Sequence, residues 1–597
     1  MTTKTAVMSF CRLLMGLALV LPSIVNGYKL RYHDESFTPD VVLRVTESSI
    51  SRACSTRYSV LINGTAPGPE IRLRQGRTYW IRVYNDMETQ NLTMHWHGLS
   101  MAASPFSDGS PQASQWPIAP QYFFDYELHP DVGDAGTYFY HSHIGFQAMS
   151  ASGPLIIEDD DPPYQYDEER IVHLSDLFLK TDEEIETGLT TPPYVWSGET
   201  NNVLVNGQGL PLNTGARDEC SLATILVEPE KVYRLRFIGA TALSFVSLAF
   251  QGHNNLSIIE ADGDYTQPLE VDYMQIGPGQ RFSVLMRTKS REELEEDRAN
   301  GVNQYFLQIE SRERPISVRS YAVLIYPGGS YNVSTAPANP PITLPSTTLG
   351  WLDYQLRPLT PNNFPTLAEV TRRVTVTITQ IVNNTLVTFL QNGFPWTESF
   401  PPMPYLVALY NEEMSLFPSY ESAVNNGGMD NRTRTFPAKL GEVLEIVIQM
   451  TGEGNGILNV HPFHAHGSHF YDIGSGSGTY DLVQNEERLK GTEPVRRDTT
   501  MLYRYTRSGM AGAPMGWRAW RLRVTNAGVW LAHCHILQHM MMGMQTVWVF
   551  GDRNDVLRLG YPAVKGYLSY GGEAYGNSSR WPTCVHYWDD DDDDDDD

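Results

Sequence analysis

Residues 141–160, HSHIGFQAMSASGPLIIEDD, align without a gap with residues 533–552, HCHILQHMMMGMQTVWVFGD. Each follows an aromatic-rich run opened by Ala-Gly, AGTYFY in one copy and AGVWLA in the other. Upstream of each stands a second matching pair, HWHG at 95–98 and HAHG at 464–467. Self-similarity at the two ends of a chain requires two equivalent domains with other structure between them. At 597 residues the chain is also too long for one hydrophobic core. Short alternating runs such as TYWIRVYN, TVTITQIV, VLEIVIQM and WRLRVTN, punctuated by Gly, Pro, Asn and Asp, predict an all-β chain of sandwiches or barrels. Helical periodicity is scarce, and SREELEEDRANG at 290–301 is the clearest surface helix. Proline-rich stretches at 158–166 and 334–350 mark boundaries, giving domains at 28–163, 164–345 and 346–588.

The formal charge of −25 argues against nucleic acid or an anionic membrane as partner. Part of that charge is a terminal run, Asp589–Asp597, which reads as a solvated tail. Residues 1–27 read as a secretory signal: Lys4 and Arg12 precede an apolar run, and Val25 and Gly27 suit cleavage before Tyr28. The apolar run is short for a membrane span and nothing later replaces it. N-x-S/T sequons at Asn63, Asn91, Asn255, Asn332, Asn383, Asn431 and Asn577 agree with a secreted glycoprotein. Beyond the signal lie Cys54, Cys220, Cys534 and Cys584. In an oxidising compartment the default is two disulfides. A metal thiolate at Cys534 leaves three, and the favoured pairing is then Cys54–Cys220 with Cys584 left over.

The two copies differ at chemically telling positions. Cys534 aligns with Ser142, His539 with Gln147, Met544 with Ser152 and His461 with Leu92. The last domain thus holds a thiolate, two imidazoles and a thioether that the first lacks, a set of soft ligands that suits a blue copper site. Both domains keep paired histidines: His95 and His97, His141 and His143, His464 and His466, His533 and His535. Residues i and i+2 of a strand share a face, so each H-x-H presents two imidazoles to one side. Cys534, between His533 and His535, faces the other way, and one backbone joins two centres. A zinc site fits this histidine-rich, thiolate-poor set less well.

HWHG, HSH, HPFHAHG and HCHILQHMMMGM together make the chain, from about Tyr28 to Tyr587, resemble the multicopper oxidases. Within them it is most similar to the fungal ascorbate-oxidase-like and laccase-like enzymes of ascomycetes, through SHIGFQAMSASGPLIIED, YVWSGETNNVLVNGQG and HPFHAHG…YDIGSGSGTYD. The resemblance implies three cupredoxin domains and four copper ions. By motif, His461, Cys534 and His539 would hold a type 1 copper, with Met544 axial. His95 and His464 would hold type 2, and His97, His141, His143, His466, His533 and His535 a type 3 pair. The implied activity is four one-electron oxidations of an organic reductant coupled to reduction of O2 to water, by an enzyme expected to be a monomer. Asp108, in FSDGS, matches an acid near the trinuclear centre, and Leu537 stands where relatives commonly carry another. HGSHF places His469 one position later than the HGH of many relatives.

Donor selection follows from similar matches. His539 is the expected entry point for electrons. Trp196 matches one of two tryptophans flanking substrate in plant ascorbate oxidases, and Phe389 replaces the second. Glu260 and Asp262, in SIIEADGDY, fall where laccases place a carboxylate beside phenols. A methionine axial ligand favours a lower potential and therefore electron-rich donors: phenols, catechols, aminophenols, pigment precursors or ascorbate. The alternatives are a ferroxidase, which needs carboxylates beside His461 or His539, and a non-catalytic copper carrier, which has no use for the paired histidines. Met544→Leu should raise the type 1 potential by something like ~100 mV, since the axial ligand tunes such sites. For one electron, about 59 mV is a tenfold change in equilibrium constant. Met541→Leu should leave it unchanged, and redox titration of the blue band in both variants distinguishes the two positions.

Overall fold

The computed structural model describes residues 29–588 except 35, 212–219, 330, 384, 453–458, 507–509, 578 and 580–584. The signal, Cys584 and the aspartate tail lie outside the described residues. Two-layer β-sandwiches follow one another along the chain. In the first, a sheet ordered Ser55–Ile62, Val41–Arg52, Tyr79–Asn85, Phe123–Leu128 faces one ordered Ile71–Arg74, Ser152–Glu158, Gly136–Ser142, Met94–His97. Six- and five-stranded sheets make up the second, between Glu168 and Ile325, and again the third, between Arg372 and Phe550. Each has one parallel pairing per sheet among antiparallel ones. In one sheet of each sandwich, taken in chain order, these are Val41–Arg52 with Tyr79–Asn85, Glu168–Leu177 with Val232–Gly239 and Arg372–Asn383 with Val443–Thr451.

The strands form where alternation asks for them. In Arg372–Asn383, Val374, Val376 and Ile378 turn into the core while Arg373 and Thr375 face outward. The expected surface helix spans Arg291–Ala299, opened by a capping box between Ser290 and Glu293 and burying only Leu294. The first and third sandwiches share one continuous apolar core, whereas the second keeps its own. Cys54 is bonded to Cys220, tying the first sandwich to the second, as expected. Asn63, Asn255, Asn332, Asn383 and Asn431 are exposed, and Asn91 and Asn577 are half-buried. Among the described residues no helix is long and apolar enough to cross a membrane.

All three sandwiches meet at the loop after His143. The Gly145 amide donates to both oxygens of Glu398, from the third, at 3.2 and 3.4 Å. The adjacent Phe146 amide donates at 2.6 Å to Glu186, on the helix Asp182–Thr190 of the second. Burial raises both carboxyls, Glu398 to about 8 and Glu186 to about 7; each is lowered in part by its amide, and Glu186 further raises Glu398. The folded chain therefore retains protons that the unfolded chain releases. This contribution is fully present below about pH 4.5 and is lost as pH rises through 7 to 8. Glu398→Gln should raise the melting temperature at pH 8 and change it little at pH 5, as scanning calorimetry at the two pH values will read.

Candidate metal centre

The duplicated motifs occupy equivalent strands. His95 lies opposite His141 in the first sandwich, and His464 opposite His533 in the third. Cys534 pairs with Phe463, one position along and thus on the other face. These strands bring the imidazoles of the two domains together in the interior, where His95, His97, His464 and His533 are at most 1% exposed.

Hydrogen bonds fix which nitrogen each ring offers. His95 Nδ1 donates to the Asp108 carbonyl (2.6 Å), His464 Nδ1 to the Asp498 carbonyl (3.0 Å), His141 Nδ1 to Ser142 (2.8 Å) and His533 Nδ1 to Cys534 (3.0 Å). His466 Nδ1 donates to Asp108 Oδ2 at 3.0 Å. Each leaves Nε2 as a bare lone pair. Two pairs of them face one another, His95 to His464 at 3.4 Å and His466 to His533 at 3.1 Å, and the Nε2 of His143, whose Nδ1 has no partner, lies 3.3 Å from that of His533. His97 is reversed. Its Nε2 bonds Asp498 Oδ1 at 3.1 Å, and its Nδ1 has no partner. His141 Nε2 and both nitrogens of His535 also lack partners. Burial depresses His95, His97, His143, His466 and His535, and takes His141 down to about 4 and His533 to about 3, so these rings are neutral. Neutral acceptors packed against acceptors repel unless a cation lies between them.

The thiolate set is separate and equally enclosed. His461 Nδ1 and His539 Nδ1 are 3.1 Å apart, and each is 3.7 Å from Cys534 Sγ. Met544 is fully buried in the same loop, its amide donating to the His539 carbonyl. Burial pushes the Cys534 thiol up and His461 down to about 3, which suits a thiolate formed only on binding metal. No carboxylate joins this set among the described residues.

Residues outside the motifs hold the imidazoles in place. Asp498 is fully buried and bonded twice to Arg281 at 2.6 Å, and this pairing, with His97, outweighs burial and keeps its carboxyl well below the usual range. Gly279 (φ +86°) lets the second domain approach the cluster, since a Cβ there would meet His97 at 3.0 Å and His535 at 3.1 Å. His469 bridges Asp264 (3.0 Å) and the Gly98 carbonyl (2.9 Å). Burial alone would lower it, but Asp264 and Asp498 push it up to about 10. No motif marks Asp498 or Arg281, because their roles arise only where two domains touch.

On the donor side the expectations divide. Glu260 and Asp262 are corrected: both are fully buried and ion-paired, Glu260 to Arg234 (2.5 Å) and Thr137, Asp262 to Arg497 (2.5 Å) and the Arg281 amide. They join domains and cannot meet a donor. Phe389, 2% exposed, packs at 5.0 Å on the His539 ring and fills space rather than forming an open wall. Trp196 is half-buried, with the Arg314 guanidinium 5.6 Å from its ring centroid. Ser197 accepts a bond from Gln538, next to His539, at 3.2 Å, which ties the Trp196 segment to the thiolate loop. Arg314 is held by Glu199 at 2.7 Å and helps depress His539, after burial and His461. Sequence reading missed Arg314.

The multicopper oxidase family models match residues 44–162, 168–295 and 401–554. Laccase-like multicopper oxidase 1 of Thermothelomyces thermophilus is 46% identical, over 93% of this chain and 94% of its own. Multicopper oxidase aurL2 of Gibberella zeae is 44% identical over 95% and 98%. The L-ascorbate oxidase of Cucumis sativus is 30% identical over 83% and 86%. The solved laccase of Botrytis aclada superposes with a TM-score of 0.67 at 24% identity, over 86% of this chain and 88% of that one. The chain is a multicopper oxidase. It is an oxidoreductase that uses copper, a small-molecule reductant and O2, and its facing imidazole lone pairs fit that metal. Arg281→Leu would strip the buried Asp498 carboxylate of its guanidinium partner and leave it to the His97 and His469 rings and Thr499. We expect about 3–5 kcal/mol of lost stability, read as a lower urea midpoint.

Proposed function

We propose that this multicopper oxidase is a secreted, monomeric, laccase-like enzyme with four coppers, its cupredoxin domains spanning 28–163, 164–345 and 346–588. The type 1 copper is assigned to His461, Cys534 and His539 with Met544 axial, type 2 to His95 and His464, and the type 3 pair to His97, His141, His143, His466, His533 and His535. The observation carrying this assignment is the set of imidazoles anchored at one nitrogen with the other facing an equivalent lone pair. Copper bound by these residues would supply one-electron redox chemistry, coupling four single-electron oxidations of the donor to the four-electron, four-proton reduction of O2 to two waters.

The chain's own groups do the rest. Trp196, with Arg314 stacked on it, offers a planar donor a wall beside the His539 loop. Exposed Val195 and Ile316 adjoin Trp196 and Arg314 in the chain and favour an aromatic donor over ascorbate. Asp108 orients His466 through Oδ2, while its Oδ1 has no partner. Burial raises its carboxyl above the ordinary value, against His95 and Ser110, which suits a group that passes protons toward oxygen. Leu537, buried and apolar, offers no such group.

The purified enzyme should be blue, and Cys534→Ser should abolish both the colour and at least about 99% of oxidase activity, since losing even an outer partner of a metal ligand costs about 10–100-fold. A colourless parent, or a blue and active variant, overturns the assignment. Oxygen uptake with a catechol, an aminophenol, a methoxyphenol, ascorbate and Fe2+ should be fastest with the first two. Preference for Fe2+ would identify a ferroxidase instead.

A further inference from the structure

Beyond its last sandwich strand, Gln545–Phe550, the chain continues back onto the first sandwich. It packs on the strand Phe123–Leu128, where the Phe123 amide donates to the Gly576 carbonyl and Tyr575 meets Phe124, and also on one short turn, Pro105–Asp108. Arg558 donates to the carbonyls of Ala102 and Ala103. Tyr567 stacks on Phe106 with centroids 4.7 Å apart and planes 13° from parallel. Tyr410 also approaches Phe106, with centroids 5.5 Å apart, and its hydroxyl donates to the Val556 carbonyl at 3.2 Å. Phe106 and Tyr567 are 2% and 4% exposed, so the stack is interior.

This turn carries Asp108, whose carbonyl anchors His95 and whose carboxylate anchors His466. A four-residue 3-10 turn has little hydrogen bonding of its own, and its rigidity must come from what packs on it. Gly109 (φ +81°) follows so closely that a Cβ there would lie 1.9 Å from the Met94 carbonyl, next to His95. The turn thus has no slack on the histidine side, and residues 553–577 close the other side.

We propose that the C-terminal segment 553–577 is a positioning element for the trinuclear site, with Tyr567 and Arg558 clamping the Asp108 turn and thereby fixing the orientation of His95 and His466. This rests on the assignment of those two histidines as copper ligands. Neither Tyr567 nor Arg558 touches copper or oxygen; each acts through the turn.

The test uses the full-length copper-loaded enzyme, with Tyr567→Ala, its conservative control Tyr567→Phe, and Arg558→Ala should the first fail to fold. Hydrogen exchange of residues 102–115 reads the turn directly. Electron paramagnetic resonance reads the type 2 copper. Anaerobic bleaching of the blue band by a catechol and its recolouring by O2 separate the two half-reactions. Tyr567→Ala should speed exchange across 102–115 by about tenfold, as expected for lost local packing. It should also alter the type 2 signal and slow recolouring by about tenfold or more, since small misplacements near reacting groups are costly. Bleaching should stay within about twofold of the parent, because the thiolate loop is untouched. Tyr567→Phe should match the parent. Equal slowing of bleaching and recolouring, or unchanged exchange and recolouring, overturns the proposal. A parent lacking a type 2 signal overturns the ligand assignment instead, and His466→Ala that retains that signal and recolours normally does the same.

Discussion

Neutral imidazoles buried with their lone pairs face to face are tolerable only when each ring is held from behind and a cation is supplied in front. Four of the rings are held by the backbone: the carbonyls of Asp108, Ser142, Asp498 and Cys534 each take one Nδ1 proton. A carbonyl acceptor fixes the tautomer without adding a negative charge, so the pocket stays neutral and retains its demand for metal. Carboxylates enter at two places, Asp108 and Asp498, and both lie behind the rings. The rest of the architecture serves to bring those carbonyls to fixed positions on two different domains.

That requirement explains the charged seams between sandwiches. Arg281 reaches from the second domain to Asp498 in the third and to the Thr137 carbonyl in the first. Glu260 binds Thr137 from the same side. Buried ion pairs often stabilise no more than apolar packing would, but breaking one is costly and its geometry is exacting. A seam of this kind suits a site whose ligands come from two domains, because it penalises small sliding motions more steeply than an apolar contact does. The Glu186–Glu398 junction serves the same end with hydrogen bonds to adjacent amides, and it makes the packing depend on pH.

The all-β character, the duplicated ends and the paired histidines were legible because all three are written in local periodicity. A two-residue alternation places His95 with His97 and sets Cys534 apart from its neighbours whatever the rest of the chain does. The helix at Arg291–Ala299 was legible for the same reason, through Ser290 and Glu293. Glu260 and Asp262 were misread because an acidic residue in a strand or the turn after it carries no mark of which domain it will face. Arg234 and Arg497, which claim them, lie far along the chain. Arg314 and the Tyr567–Phe106 stack escaped reading for the same physical cause: their partners are distant in sequence and no spacing encodes them.

The unequal halves of the repeat show what the thiolate site contributes mechanically. In the first domain Ser142, the counterpart of Cys534, donates to Gln147, the counterpart of His539, at 2.8 Å. Gln147 in turn donates to the Asn91 carbonyl at 3.0 Å, beside Leu92, the counterpart of His461. A chain of hydrogen bonds therefore links the same three segments that Cys534, His539 and His461 bring together in the third domain. The loop after the H-x-H strand has to be tied to the strand edge in either domain, since otherwise His143 and His535 would lose their support. One copy meets this need with an amide and a hydroxyl. The other leaves it to Cys534, His539 and His461. What distinguishes the two domains is thus the chemistry of one tie, while the fold that needs the tie is common to both.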